Sequence, residues 1–369
     1  MTTEPSRPAN DALDGVRDTL MVERAVHVVA QVERRSRLLA SLPRPDRRQL
    51  VRGAMAIGEG VDLPSDLPVE APEGEARPVE HLPPTGADLV LVGRTDNYLR
   101  LRAFYLDARL TLALHVGWPP WPLTSQLHRG AALRGRLPPI DSLVVPRALE
   151  TGRGLRHAWL VEELVGGCRP AASEWQAVGS VLLDRMIGIW RGDGVRRRPA
   201  RALLPPSRVR SAVAIIESEP GLDLDRARLA TQAWELSRLP GDLLHGLTHG
   251  DPQRSNVLIQ PDGGLALVDW EAARRRLVAH DSVKVLDELV DPLPVVERLA
   301  ENLAGLGVVY GLPWRQQVAI ACLIRLAGTR RWISRATVAR LRGLPEVERR
   351  VALNRRASVR LLERLLLEP

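Results

Sequence analysis

The sequence predicts an α+β chain: a small antiparallel-sheet lobe, then a larger helical lobe, with an extra helical segment ahead of both. Three observations carry that reading. Short apolar or alternating runs with the period of strands fill residues 88–164. Beyond Gly166-Gly167 the apolar spacing becomes helical. A proline-rich stretch over 61–86 parts the sheet from a helical pattern over 15–60. Strands followed by helices, rather than alternating with them, is the order of an α+β chain.

In the N-terminal segment, Val22, Val26 and Val29 share one helical face, with Leu38, Leu39 and Leu42 further on. Residues 1–60 are therefore read as a helical extension. Residues 61–87 are read as a linker, punctuated by Pro64, Pro68, Pro72, Pro78, Pro83 and Pro84. The sheet lobe spans 88–165. Its strands are Asp88–Val92, Tyr98–Leu106, Leu110–Val116, Leu143–Leu149 and Ala158–Leu164, with a helix at 125–136.

The helical lobe spans 166–369. Trp175, Val178, Leu182, Met186 and Ile189 mark its first helix, and Arg191–Arg210 reads as a solvated basic connection. A hairpin follows, Val257–Gln260 and Leu265–Val268 around Pro261-Asp262-Gly263-Gly264. Helices are expected over 282–305, 314–328 and 344–367. The last carries a stripe of Leu353, Ala357, Leu361 and Leu365. Packing against the lobe is the default for that stripe, and contact with an anionic membrane surface is the sharper alternative.

Composition bounds the function classes. The 369 residues are 45% hydrophobic and 26% charged, an ordinary globular mixture. No apolar run is long enough to span a bilayer, and the N-terminus lacks a secretory apolar core. Cys168 and Cys322 are far apart and without metal-ligand spacing, so a reducing cytoplasm is expected. The net charge of +8 raises the question of an anionic partner. Yet Lys284 is the sole lysine among 52 lysines and arginines, which reads as a coding bias spread over the chain. Aromatics are 4%, too few for stacking platforms, so nucleic acid is disfavoured as a partner.

Chemistry concentrates in His249-Gly250-Asp251-Pro252-Gln253-Arg254-Ser255-Asn256, followed across the hairpin by Asp269-Trp270-Glu271. Asp251 sits among turn formers, where a carboxylate can point away from the chain. Asn256 offers a neutral oxygen five residues on. Asp269 ends the second hairpin strand, which returns it beside Asn256. Two carboxylates and an amide oxygen suit a hard cation such as Mg2+, which takes few protein oxygens plus phosphate. Phosphoryl transfer needs that set, with one carboxylate to receive the proton of the attacking hydroxyl. The Asp251–Asn256 spacing equals that of the protein-kinase catalytic loop.

From about Leu247 to Ala272 the sequence resembles the aminoglycoside phosphotransferase and choline kinase-like family. The resemblance implies a bilobal protein-kinase-like fold and an enzyme transferring the γ-phosphoryl group of ATP to a hydroxyl of a small molecule. It assigns Asp251 as catalytic base, Asn256 and Asp269 as metal ligands, and His249 as a loop brace. More loosely, it extends through 88–369. Ala158–Gly166 looks like the last sheet strand and hinge, with adenine held by backbone around Glu163 and Val165. His280-Asp281 resembles a helix start that braces the site, and Asp281 as a helix N-cap explains it equally well.

The sheet lobe departs from the family pattern. Family kinases carry a lysine on the third strand, paired to a glutamate on the next helix. Here Leu112–Gly117 places His115 at that position, Gly130 stands where the acid is common, and no lysine occurs in the lobe. Arg100 and Arg102 can supply phosphate charge instead. Two functions follow. One is a phosphotransferase acting on a sugar, polyol or related metabolite, with a weak tilt toward neutral or anionic acceptors because the chain is basic. The other is a pseudokinase or scaffold that keeps the fold without transfer.

Overall fold

The structure, a computed structural model, describes residues 27–42, 50–52, 77–78, 87, 89–94, 98–117, 126–154, 157–219, 225–304, 311–341 and 345–368. Val22, Val26 and most of the proline-rich stretch lie outside them. The chain divides into two units. A sheet unit takes the residues up to Ala131 together with Pro146–Val165, and a helical unit takes Ala132–Val145 and everything from Gly166.

The sheet unit opens with helices α1 (27–35) and α2 (Arg37–Ala40). Strands β1 (Leu50–Arg52), β2 (Arg77–Pro78), β3 (Leu89–Arg94), β4 (Tyr98–Tyr105) and β5 (Leu110–Gly117) follow, then helix α3 (Gln126–Arg134). After β6 (Leu143–Val144), which belongs to the helical unit, come β7 (Ala148–Arg153) and β8 (His157–Glu163). The seven strands of this unit run in the order β2-β1-β3-β4-β5-β8-β7, antiparallel except for the β1–β3 pair.

Strand alternation sorts the side chains onto two faces. Leu101, Ala103, Leu112, Leu114, Trp159 and Val161 form one face, buried with Val29 and Val32 of α1 and Leu39 of α2. Three donors tie that N-terminal piece to β7. Ser36 Oγ donates to the Glu150 carboxylate at 2.7 Å, and the N–H groups of Arg37 and Leu38 donate to it at 3.1 Å each. The opposite face carries Arg102, Ala113, His115, Leu160 and Glu162, and Leu127 and Ala131 of α3 cover Ala113 and Leu160.

The expected strand Leu143–Leu149 is two strands in different sheets. β6 pairs in parallel with β12 of the hairpin, whereas β7 pairs with β8. Pro146 lies at the break, where the missing N–H and fixed φ interrupt a ladder.

In the helical unit, α4 (Trp175–Asp193) buries Trp175, Leu182, Met186 and Ile189 as the spacing predicts. Next come β9 (Arg196–Pro199), α5 (Ala200–Leu203), α6 (Pro206–Ser218), α7 (Arg226–Arg238) and β10 (Asp242–Thr248). The basic connection thus holds an edge strand, its four residues exposed and paired to β10, and a helix opened by Pro206. The hairpin is β11 (Val257–Ile259) with β12 (Leu265–Leu267), in register and antiparallel.

β13 (Arg274–Leu277), α8 (Ala279–Leu286), α9 (Leu293–Ala304), α10 (Trp314–Leu341) and α11 (Pro345–Leu367) complete the unit. The single helix expected over 282–305 is two, because Pro292 cannot donate an N–H and bars Asp291 from helical geometry. Leu361 and Leu365 are buried in the core with α10, whereas Leu353 is exposed. Among the described residues no helix is long and apolar enough to cross a membrane.

Candidate active site

β10 is the middle strand of a three-stranded sheet, flanked by β13 and β9. It delivers the chain at Thr248 into the His249–Asn256 loop. Thr248 is held from the neighbouring strand: its Oγ1 donates to the Arg274 carbonyl and accepts from Arg276 Nε, both at 2.8 Å.

His249 is fully buried. Its Nδ1 accepts the N–H of Asp251 at 3.3 Å, so Nε2 carries the proton and donates to the Val268 carbonyl at 2.8 Å. Trp270 meets the ring edge to face, with centroids 4.8 Å apart. Burial drives the imidazole pKa down to about 4, against the raising influence of the Asp269 and Asp251 carboxylates. A neutral ring bonded to backbone on both sides braces the loop and carries no proton in transfer.

Gly250 has φ +98°, and a Cβ there would overlap the Ala272 carbonyl oxygen and the Arg276 guanidinium. Only glycine fits. The N–H groups of His249 and Gly250 then converge on one carboxylate, that of Asp281, at 2.7 and 2.9 Å. Asp281 lies in the first turn of α8, wholly buried, and desolvation pushes its carboxyl up to about 6. The N-cap position of α8 is Val278, with no side-chain cap. Of the two explanations for Asp281, bracing the loop is the one the hydrogen bonds bear out.

The loop places Asp251 half-buried, with Oδ1 accepting from Lys284 Nζ at 2.8 Å. Asn256 donates through Nδ2 to the Asp251 backbone carbonyl at 2.8 Å, which leaves its own Oδ1 free to accept. Its backbone carbonyl takes the N–H of Val268 at 2.9 Å, so the hairpin fastens Asn256 beside the residue preceding Asp269. Asp269 itself has φ +65° and ψ +58°, the left-handed region. Such a conformation costs a non-glycine residue about 1–3 kcal/mol and is found where a side chain must be aimed.

Asp251 and Asp269 both act electrostatically on His249, and Asn256 is bonded to the backbone of Asp251 and of Val268. No group of three or more His, Cys, Asp or Glu side chains fit for a metal occurs among the described residues. One carboxylate and one amide oxygen fit an ion that takes its other ligands from phosphate and water, the coordination habit of Mg2+.

The four residues expected to hold nucleotide all lie in the sheet unit. Glu163 ends β8; its N–H is taken by the Arg147 carbonyl at 3.1 Å and its carboxylate by the Arg147 guanidinium at 2.9 Å. The N–H of Leu164 is taken by the Arg109 carbonyl, and Val165 takes no part in those bonds. His115 is buried on β5 opposite Arg100 and Ala158. Arg102 reaches across β5 to Glu162 on β8, with Nη1 and Oε1 2.6 Å apart and the carboxylate almost wholly buried. Glu162 was not singled out as a partner, although strand alternation puts it on the Arg102 face. Lys284, which follows the His249–Asn256 loop in sequence, is not placed at the site by the sequence pattern. Its i, i+3 spacing from Asp281 was the signal that could have placed it.

Residues 145–317 match the model of the phosphotransferase enzyme family. The matched residues include the loop and hairpin on which the resemblance was read. None of the curated proteins matches the chain significantly. Several solved structures are similar. One is a thermostable mutant of aminoglycoside phosphotransferase APH(4)-Ia without ligand, 14% identical, covering 72% of this chain and 92% of that one, with a TM-score of 0.44. Another is macrolide 2'-phosphotransferase MphH from Brachybacterium faecium, 17% identical over 74% and 89%, TM-score 0.39. A third is an ethanolamine kinase of Plasmodium vivax, 9% identical over 73% and 81%, TM-score 0.41.

Proposed function

Taking the match of residues 145–317 to the phosphotransferase enzyme family model as the premise, we propose that the chain transfers the γ-phosphoryl group of ATP to a hydroxyl of a small metabolite. The observation that supports this reading is one buried, neutral histidine that feels both Asp251 and Asp269, in a loop where Asn256 bonds the Asp251 backbone.

Asp251 receives the acceptor hydroxyl's proton at Oδ2, since Oδ1 is engaged by Lys284. The acceptor oxygen forms its bond to phosphorus as the bond to the β-phosphate oxygen breaks, and that electron pair leaves with ADP. Asn256 through Oδ1 and Asp269 through its carboxylate are the residues to hold Mg2+, which when bound neutralises phosphate charge. In the sheet unit, the backbone at Glu163 and Val165 is assigned to adenine. Arg102 is assigned to phosphate, oriented by Glu162, with His115 on the same face. That ion pair supports an arginine in the role the family gives to lysine.

The acceptor class follows from charge. Asp287 is bridged to Arg325, Asp291 to Arg364, Asp184 to Arg298 and Asp251 to Lys284. Carboxylates already matched by cations are poor receptors for a polycation. A neutral or anionic sugar, polyol or related metabolite is therefore favoured over an aminoglycoside.

The test is thermal-shift binding of Mg·ATP, then turnover against a panel of hydroxylated metabolites and polycationic antibiotics. Asp251→Asn should keep ATP affinity within about threefold and lose turnover by 100-fold or more, because an amide takes no proton. Asp269→Asn should lose the magnesium-dependent part of the shift. A wild-type chain that binds no nucleotide supports the scaffold reading instead, which the lysine-free sheet unit favours. Turnover of polycationic antibiotics alone would refute the acceptor class.

A further inference from the structure

Among 52 cationic side chains the chain has one lysine, and its ammonium meets the carboxylate of Asp251. Whatever drives the rest of the chain to arginine has left lysine at this position. The two cations are not equivalent. An ammonium is a compact point charge with three donors, whereas a guanidinium is a broad planar fork.

The fold explains how Lys284 arrives there. It lies three residues after Asp281 on α8, so both occupy the helix face turned to the catalytic loop. Asp281 fixes the loop backbone, and Lys284 reaches the loop's functional carboxylate at 2.8 Å. The two side chains are 22% and 33% exposed, so the pair is open to a ligand rather than sealed in the core.

We propose that Lys284 is a catalytic residue of the phosphotransfer site, bonded to Asp251 before the substrates arrive and hydrogen-bonded to the transferred phosphoryl group during transfer. The proposal rests on the phosphotransferase reading. An acceptor hydroxyl bonded to Oδ2 sits about 2.6–3.2 Å from it, with the phosphorus a further ~3–3.5 Å away. Phosphoryl oxygens then come within reach of an ammonium already on Oδ1. One N–H keeps Asp251 oriented while the others meet charge that grows on those oxygens. Lys284 gives up no proton. It supplies a positive charge in addition to the one assigned to Arg102.

The experiment compares wild type with Lys284→Met and Lys284→Arg in the full chain with Mg2+. It measures calorimetric affinities for AMP-PNP and ADP, unfolding midpoints and ATP turnover. Lys284→Met should weaken AMP-PNP about tenfold, leave ADP within twofold and lower turnover about 100-fold, with Lys284→Arg recovering part of the AMP-PNP loss. An unchanged ratio of AMP-PNP to ADP affinity overturns the assignment, whether turnover falls or not. So does an equal loss of both nucleotides with a lowered midpoint, the mark of a merely structural lysine. Wild type that binds neither nucleotide overturns the phosphotransferase reading and this proposal with it. Wild type that binds both while Lys284→Met matches it overturns this proposal alone.

Discussion

Asp281→Ala tests whether the His249–Asn256 loop is held from beneath by one buried carboxylate. The substitution removes the acceptor of two backbone N–H bonds, from His249 at 2.7 Å and Gly250 at 2.9 Å. Bonds to a charged acceptor contribute about 1.5–3 kcal/mol each, so the gross loss is about 3–6 kcal/mol. Against this, the carboxylate already bears a burial cost. Its rise from 3.8 to about 6, about 3 kcal/mol at neutral pH, is what desolvation leaves after those two bonds and the Arg276 charge have offset part of it.

The net destabilisation at pH 7 should therefore fall below that gross loss of about 3–6 kcal/mol. The folded pKa lies above the unfolded one, so the native state binds the extra proton as pH falls through about 6. Wild type recovers the burial cost there and the alanine variant has none to recover. The gap between them should widen by about 1 kcal/mol between pH 7 and pH 5. Urea unfolding of both proteins at the two pH values measures it. A gap that narrows toward pH 5 would show a carboxylate stabilised as an anion and refute the reasoning. Turnover should fall further than stability does, because Asp251 follows directly on the released backbone.

Two other outcomes are expected. Gly250→Ala adds a methyl group where φ is +98° and the Ala272 carbonyl and Arg276 already fill the space; a loss of about 3 kcal/mol should appear in thermal unfolding, and a neutral result would exclude this backbone geometry. His249, with its pKa lowered from 6.5 to about 4, contributes stability that is fully present above pH 6.5 and lost as pH falls to about 4. Relative to His249→Gln, wild type should forfeit about 3 kcal/mol across that window, and parallel pH profiles would place the imidazole outside the core.

Much of the candidate site was legible because its parts are close in sequence. Asp251 and Asn256 share one loop, and a four-residue turn brings Asp269 back, so register alone joins them. The sheet strands were legible by alternation, except where Pro146 divides β6 from β7 and hands one piece to the hairpin. The partners that tune the site were not. Glu162 meets Arg102 across 60 positions, Asp281 meets Gly250 across 31, and Lys284 meets Asp251 across 33.

The amino-acid order by itself determined the periodicities, the His249–Asn256 loop, the hairpin that closes on it and the glycine at its turn, because each depends on neighbours a few residues apart. Tertiary structure alone decided which carboxylate anchors the loop, which cation faces Asp251 and which glutamate orients Arg102. Those choices depend on where packed helices and strands bring distant side chains, and many pairings of like residues are compatible with the same local pattern.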